Sequence, residues 1–286
     1  MAIIKIEGQK DIAKEKTLRF SILKNYPSCA QRYKLSRIHT PRNKPKTESD
    51  FLKGNLFEYW ATGASSDPII GSLAEKWETS KAGCKIGNLK KPTIEKVYNA
   101  AQSAKKAFKK ILFANDEFII PLGKTGWFLE FHPDIIGEIF LPENDFAIPA
   151  IVDTKYTGSI NEVWNNKDSK MEFLQAMVYI YGFYYFSKDK MPEPMLLPFV
   201  YQITEHNAFQ EPFHKYIIIH GKPQDFIWFE NLIKTVIEDN EMKPNPGEGN
   251  CLGKGNPNGP CRYLEFCEEG RALVNRTESY QFNDLR

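Results

Sequence analysis

The sequence predicts an α/β domain in which helices flank a small mixed β-sheet, with a helical N-terminal region ahead of it. Three observations carry this expectation. Up to Phe113, apolar residues recur at three- and four-residue steps. From Glu117 the pattern changes to short strand-like runs broken by turn residues. After Ser169 a long helical run precedes two more strands and a helix, an alternation that points to helices packed on one sheet.

Taken in order, Ser21 begins a short helical run with Ile22, Leu23 and Tyr26 on one side and Pro27 near its end. Residues 39–49 form a polar, proline-broken linker. Asp50 is a good N-cap for a helix reaching about Thr62, ahead of Gly63. The clearest helix spans 93–113, where Ile94, Val97, Ala101, Ala104, Phe108 and Leu112 make a stripe. Lys105, Lys106, Lys109 and Lys110 fall largely off that stripe. Glu117–Leu122 and Trp127–Phe131 then flank a Gly-Lys-Thr-Gly hairpin turn. Pro133 interrupts the second strand, which resumes over Asp134–Phe140. A turn at 142–145 leads to the apolar strand Phe146–Tyr156, and a long helix covers Ser169–Phe186. Strands near Leu196–Ile203 and His214–His220 and a helix over Asp225–Asp239 follow. The stretch Lys243–Pro260 is rich in Gly, Pro and Asn. Gly123-Lys124-Thr125 is no phosphate loop, because Phe118 stands where that motif needs its first glycine.

With 286 residues, 42% hydrophobic and 13% aromatic, the chain has material for a buried core and is not mainly disordered. Its oiliest uncharged run, Met177–Phe186, is about half the ~20 residues of a membrane span. The N-terminus has no basic-then-apolar signal, so the expectation is a soluble cytoplasmic protein (host cytoplasm if viral) with no membrane partner. A net charge of +2 hides a strong asymmetry. Residues 1–110 hold 23 Lys/Arg against 10 Asp/Glu, and the remainder holds 15 against 26. The stretch 81–110 alone has nine lysines and one acid, Glu95. Such a face suits phosphates, and Lys105, Lys106, Lys109 and Lys110 are its candidate DNA-binding residues. The alternative, a merely solvated helix face, is equally open on charge alone.

The acids of the second half concentrate chemistry. In a strand, Asp153 and Lys155 share one face while Thr154 points away. A hairpin centred between Glu143 and Asn144 brings Asp134 opposite Asp153. Two carboxylates so placed repel unless a cation lies between them, and Mg²⁺ or Mn²⁺ prefers carboxylate oxygens and water. A metal there lowers the pKa of a water and polarises a phosphodiester, while Lys155 offsets charge in the transition state. The bland alternative is an exposed strand end with a local Asp–Lys pair.

These residues resemble the PD-(D/E)xK nucleases. Pro133-Asp134 followed by Asp153-Thr154-Lys155 looks like their signature, and Gln175-Ala-Met-Val-Tyr179 is similar to the Q-x-x-x-Y element of the RecB-like branch. Gly54-Asn-Leu-Phe-Glu58 resembles the helical element in which glycine precedes an acid or histidine by four. The resemblance implies a restriction-endonuclease-like core and catalytic roles for Glu58, Asp134, Asp153, Lys155, Gln175 and Tyr179. Asp134, Asp153 and Glu58 would hold the Mg²⁺ or Mn²⁺. Glu58 departs from the histidine of many members, whereas lambda-exonuclease-like members carry Glu there.

Five cysteines in a chain expected to be cytosolic argue against a disulfide frame. Cys251, Cys261 and Cys267 fall within 17 residues, and four thiolates in all suit either an iron–sulfur cluster or zinc. Cys84 has no partner pattern. The segment around Cys29, from Phe20 to Lys34, resembles the first cluster motif of iron–sulfur RecB-like nucleases, including CRISPR-associated adaptation nucleases and the AddB nuclease domain. That likeness implies a [4Fe–4S] cluster on Cys29, Cys251, Cys261 and Cys267. Cys261 and Cys267 have the family's five-residue spacing, whereas nine residues separate Cys251 from Cys261, more than is usual. The implied organisation is one nuclease domain over 1–286, with a core at about 117–240, a helical basic insert at about 64–115 and a cysteine-bearing tail at 243–270. The implied substrate is DNA, cut from ends or as single strands, in recombination, repair or CRISPR adaptation with the proteins of those pathways. Two rivals remain: a non-catalytic DNA-binding module of the same fold, and a zinc-stapled nucleic-acid-binding protein.

Overall fold

The computed structural model describes residues 16–26, 29–31, 34–35, 48–65, 67–80, 85–160, 169–205, 211–239 and 267. Its larger sheet has five strands side by side: β2 (Phe108–Ala114), β5 (Ile135–Phe140), β6 (Ala147–Thr157), β7 (Phe199–Glu205) and β8 (Phe213–Ile219). Only β6 and β7 are parallel; the other neighbours are antiparallel. A parallel pair needs a long crossover, and helix α5 (Ser169–Lys190) lies within that connection. The β5–β6 hairpin has the register expected from its turn: Ile135 pairs with Val152, and Asp134 and Asp153 are the next residues outward.

Alternation assigns the two faces of this sheet. Ile135, Ile139, Ala150, Val152 and Val200 form an apolar cluster on one face. Next to it in sequence, Phe199 meets Tyr179 of α5, with ring centroids 5.5 Å apart. Helix α5 is apolar around most of its circumference, as a buried helix must be. Gly182 lets it come close: a Cβ there would fall within about 3 Å of the Phe131 ring, closer than real Cβ contacts come.

Three helices, α2 (Glu48–Thr62), α3 (Pro68–Ser80) and α4 (Lys91–Lys105), share a second apolar cluster. Leu56, Phe57 and Trp60 supply the α2 side; Ile94, Val97, Ala101 and Ala104 supply the α4 side. The Trp60, Trp77 and Tyr98 rings join the three helices at centroid spacings of 5.1 to 5.4 Å. Phe57 also meets Tyr156 of β6 at 5.3 Å, which ties α2 to the sheet.

The expected helix over 93–113 is corrected here. Helix α4 ends at Lys105, and Phe108–Ala114 is the edge strand β2, antiparallel to β5. The apolar stripe continues past Lys105, but pairing with β5 and burial of Phe108 and Ile111 against the sheet cluster outweigh it. Leu112, a member of the helical stripe, is exposed instead. The segment 64–115 is therefore no purely helical insert, and the core sheet begins before residue 117.

The described parts of Lys44–Ile119 and Phe131–Ile227, which hold all of the above, form one compact unit. Those of Met1–Asn43, Ile120–Glu130 and Trp228–Arg286 form another. There β1 (Thr17–Arg19), followed by the one-turn helix α1 (Phe20–Leu23), runs parallel to β4 (Phe128–Phe131) in a three-stranded sheet of order β1-β4-β3, with β3 being Phe118–Pro121. Arg19 pairs with the buried Glu130 at 2.5 Å. The Gly-Lys-Thr-Gly turn closes as a hairpin, with Leu122 N–H donating to Trp127 O at 2.8 Å. The strands expected over 117–140 are thus split: β4 lies between β1 and β3, and both β3 and β4 stand outside the five-stranded sheet. Helix α6 (Pro223–Glu238) buries Phe229, Ile233 and Val236, and Tyr26 Oη donates to Asp239 Oδ2 at 2.7 Å. Among the described residues, no helix is long and apolar enough to cross a membrane.

Candidate active site

Where β5 begins and β6 ends, the charged residues singled out in the sequence converge. Asp153 and Lys155 alternate onto the same face of β6, and Lys155 Nζ lies 2.5 Å from Asp153 Oδ2. Asp153 is almost wholly buried, whereas the Lys155 side chain keeps 36% of its surface exposed. Gln175, on α5, donates from Nε2 to Asp153 Oδ1 at 2.9 Å. Each oxygen of Asp153 thus has a fixed neighbour.

Asp134 sits just ahead of β5, where the backbone has left the ladder. Its Oδ2 accepts from the Thr154 N–H at 2.7 Å and from Thr154 Oγ1 at 3.0 Å. Thr154 does point away from Asp153 and Lys155, yet it is no bystander, because it anchors the other aspartate. Glu58, on α2, feels the charges of Lys155 and Asp153 and the polar Asn115 side chain.

Electrostatics follow from this crowding. Burial, then the Asp153 and Glu58 charges, push the Asp134 carboxyl well above its ordinary pKa, against the pull of Lys155 and the Thr154 N–H. Burial and Asp153 raise Glu58, partly offset by Lys155 and Asn115. Burial works against the charged form of Lys155, but Asp153 and Asp134 outweigh it and hold the ammonium above its usual value. Tyr179 is shifted upward by burial and then by both aspartates, so its hydroxyl remains a protonated donor. The same holds for Tyr201, raised by burial and Asp153.

Three carboxylates that disfavour one another's charge, with one ammonium among them, are a donor set matched to a hard divalent cation. By charge and donor chemistry, Glu58, Asp134 and Asp153 are the residues that would hold Mg²⁺ or Mn²⁺, with the Lys155 ammonium beside them.

Sequence reasoning missed three residues here. Tyr201 pairs with Asp153 across β6–β7, and its hydroxyl lies 3.1 Å from Gln175 Oε1 and 3.2 Å from the Glu172 carbonyl oxygen. Thr154 was visible only as the middle of the Asp-Thr-Lys triplet. Asn115, with φ of +54°, is the one non-glycine residue in the left-handed region among the described residues. Its signal was the Asn115-Asp116 pair directly after a strand, a common turn signature.

The four candidate DNA-binding lysines are exposed but not beside the acids. Lys105 ends α4 and Lys106 caps it, while Lys109 and Lys110 lie in β2. Lys109 pairs with Glu138 at 3.0 Å. Glu138 stands four residues beyond Asp134 on β5, which puts this pair roughly 13 Å along the strand from Asp134. Of the cysteines, Cys29 is half-buried and Cys267 is buried against Leu35, both in the same compact unit. Cys84, Cys251 and Cys261 lie outside the described residues.

No protein-family model and no curated protein matches the chain. Among solved structures it is similar to a "putative exonuclease" from Eubacterium rectale, with a TM-score of 0.50 and 15% identity over 87% of this chain and 91% of that one. At that identity the likeness is one of fold. Together with the small mixed sheet and its flanking helices, it shows an α/β fold consistent with the expected restriction-endonuclease-like core.

Proposed function

We propose that the chain is a metal-dependent deoxyribonuclease that hydrolyses phosphodiester bonds, acting as an exonuclease on DNA ends or single strands. The observation that carries this reading is the convergence of Glu58, Asp134 and Asp153 with Lys155 at one end of the five-stranded sheet. Mg²⁺ or Mn²⁺ held by those three acids would supply a Lewis acid and an acidified water.

Lys155, kept charged by the aspartates, faces the scissile phosphate and stabilises negative charge as it grows there. Gln175 fixes the rotation of Asp153 through Oδ1, and Thr154 does the same for Asp134 through Oδ2. Tyr179, held protonated, donates toward the substrate rather than acting as a base. Lys105, Lys106, Lys109 and Lys110 bind the DNA backbone away from the reacting phosphate, a contribution that weakens with salt. The order of motifs along the sequence supports placing the chain in the RecB-like branch, in recombination, repair or CRISPR adaptation.

A [4Fe–4S] cluster on Cys29, Cys251, Cys261 and Cys267 belongs to the same proposal, with zinc as the alternative occupant. Its support is that Cys29 and Cys267, distant in sequence, fall in one compact unit. Iron and acid-labile sulfide in anaerobically purified protein would separate cluster from zinc.

The nuclease reading is tested with end-labelled single- and double-stranded DNA incubated with the protein and Mg²⁺ or Mn²⁺. Cleavage that EDTA abolishes and Asp153→Asn reduces at least about 100-fold is expected. DNA binding without cleavage by folded wild-type protein would leave a non-catalytic binding module instead.

A further inference from the structure

Asn115 lies one residue past β2, outside every motif assigned to the site, yet it touches three of the site's supports. Its backbone N–H donates to the Asp134 carbonyl oxygen at 3.0 Å. Its side-chain Nδ2 donates to the Ala64 carbonyl oxygen at 2.9 Å and lies 3.4 Å from Thr62 Oγ1, just beyond the end of α2. Glu58 lies one turn earlier on that helix, and the Asn115 side chain helps offset the upward shift of its carboxyl. Thr62 and Ala64 are themselves locked, since Thr62 Oγ1 donates to Ala64 O at 2.9 Å and accepts from Ala64 N at 3.1 Å.

The backbone conformation is part of this arrangement. A φ of +54° turns the Asn115 N–H toward β5 while the side chain faces α2. Most L-residues are disfavoured in that region, and asparagine is among the few that visit it routinely. Ala114 N–H donates to Asp116 Oδ2 at 3.1 Å, which closes the turn around it. A residue that merely ended a strand would need none of these links.

We propose that Asn115 is a positioning residue that sets Glu58 against Asp134, so that the two acids, from separate elements, grip one divalent cation. This rests on reading the three acids as a metal site. Asn115 itself is not a ligand in this scheme: its amide holds the end of α2, the helix that carries Glu58, and its N–H holds the Asp134 backbone. Supporting groups of this kind typically change metal affinity about 10- to 100-fold when removed.

The test is Mn²⁺ binding by the full chain, measured by calorimetry with no DNA present. Asn115→Gly keeps the left-handed backbone without strain and removes only the amide side chain. It is expected to weaken Mn²⁺ binding about tenfold or more. Glu58→Gln should weaken it as well, and the double variant should be no weaker than Glu58→Gln alone, because Asn115 acts through Glu58. Wild-type affinity in Asn115→Gly, or additive losses in the double variant, would overturn the proposal while leaving the metal site standing. If wild type itself binds no Mn²⁺, the metal-site reading fails and this proposal with it.

Discussion

Tyr201 has one hydroxyl proton, and Gln175 Oε1 and the Glu172 carbonyl are the acceptors within its reach. That proton orients the Gln175 amide with its oxygen toward Tyr201 and its Nε2 toward Asp153. Tyr201→Phe keeps the ring and removes the hydroxyl. Steady-state kinetics should show kcat down about tenfold with KM for DNA little changed, since the loss is one of orientation. An unchanged kcat would mean that Gln175 needs no such support. Asp134 gives a second expectation at this scale. An acid whose folded pKa stands above its unfolded value keeps its proton longer when folded, so stability falls as pH rises between the two values. Asp134 and Glu58 both lie on that side. In EDTA, the melting temperature should therefore drop as pH rises from about 5 toward 8, and Asp134→Asn should flatten the drop. Equal slopes in the two proteins would contradict the assignment.

Between elements, legibility depended on how far apart the partners lie. The β5–β6 register could be read because a short turn and strict alternation leave little freedom, and so the placement of Asp134 and Asp153 as the next residues outward was visible. Gln175, Tyr179 and Glu58 were accessible through helical spacing and the family resemblance. The strand β2 was not, because its residues continue a helical stripe and its partner β5 begins some twenty residues downstream. The parallel pairing of β1 with β4 joins residues more than 100 apart, which local pattern cannot reveal. Tyr201 and Asn115 were hidden for the same reason: each is set by a pairing or a turn, not by its neighbours in sequence. Helix α2 also carries Gly54, one turn before Glu58, where an added Cβ would meet nothing within 4 Å. Nothing in the protein requires a glycine there, and glycine inside a helix costs about 0.5–1 kcal/mol relative to alanine. Open space on the Glu58 face suits the approach of a DNA backbone. Gly54→Ala is expected to raise the melting temperature and yet weaken DNA binding. A rise in both would remove Gly54 from the substrate path.

For the whole molecule, the net charge of +2 says little, because the lysine-rich stretch before residue 110 and the acidic remainder cancel in the sum. The structure adds that Lys109 stands along β5 from Asp134, paired with Glu138, so the proposed phosphate-binding and cleavage sites would occupy different places on one sheet. Electrostatic affinity and chemistry should then separate under substitution, and Lys155 offers the sharpest separation. Among the described residues it is the cation set among the acids by the observed contacts, and its proposed part is in the transition state alone. Single-turnover cleavage of end-labelled DNA by wild type and Lys155→Met, at saturating Mn²⁺ with DNA binding measured in parallel, tests this most directly. The account expects metal-dependent cleavage by wild type and retained DNA binding by Lys155→Met with a rate about 100- to 1,000-fold lower. Cleavage by Lys155→Met at the wild-type rate, or no metal-dependent cleavage by the folded wild type, would contradict it.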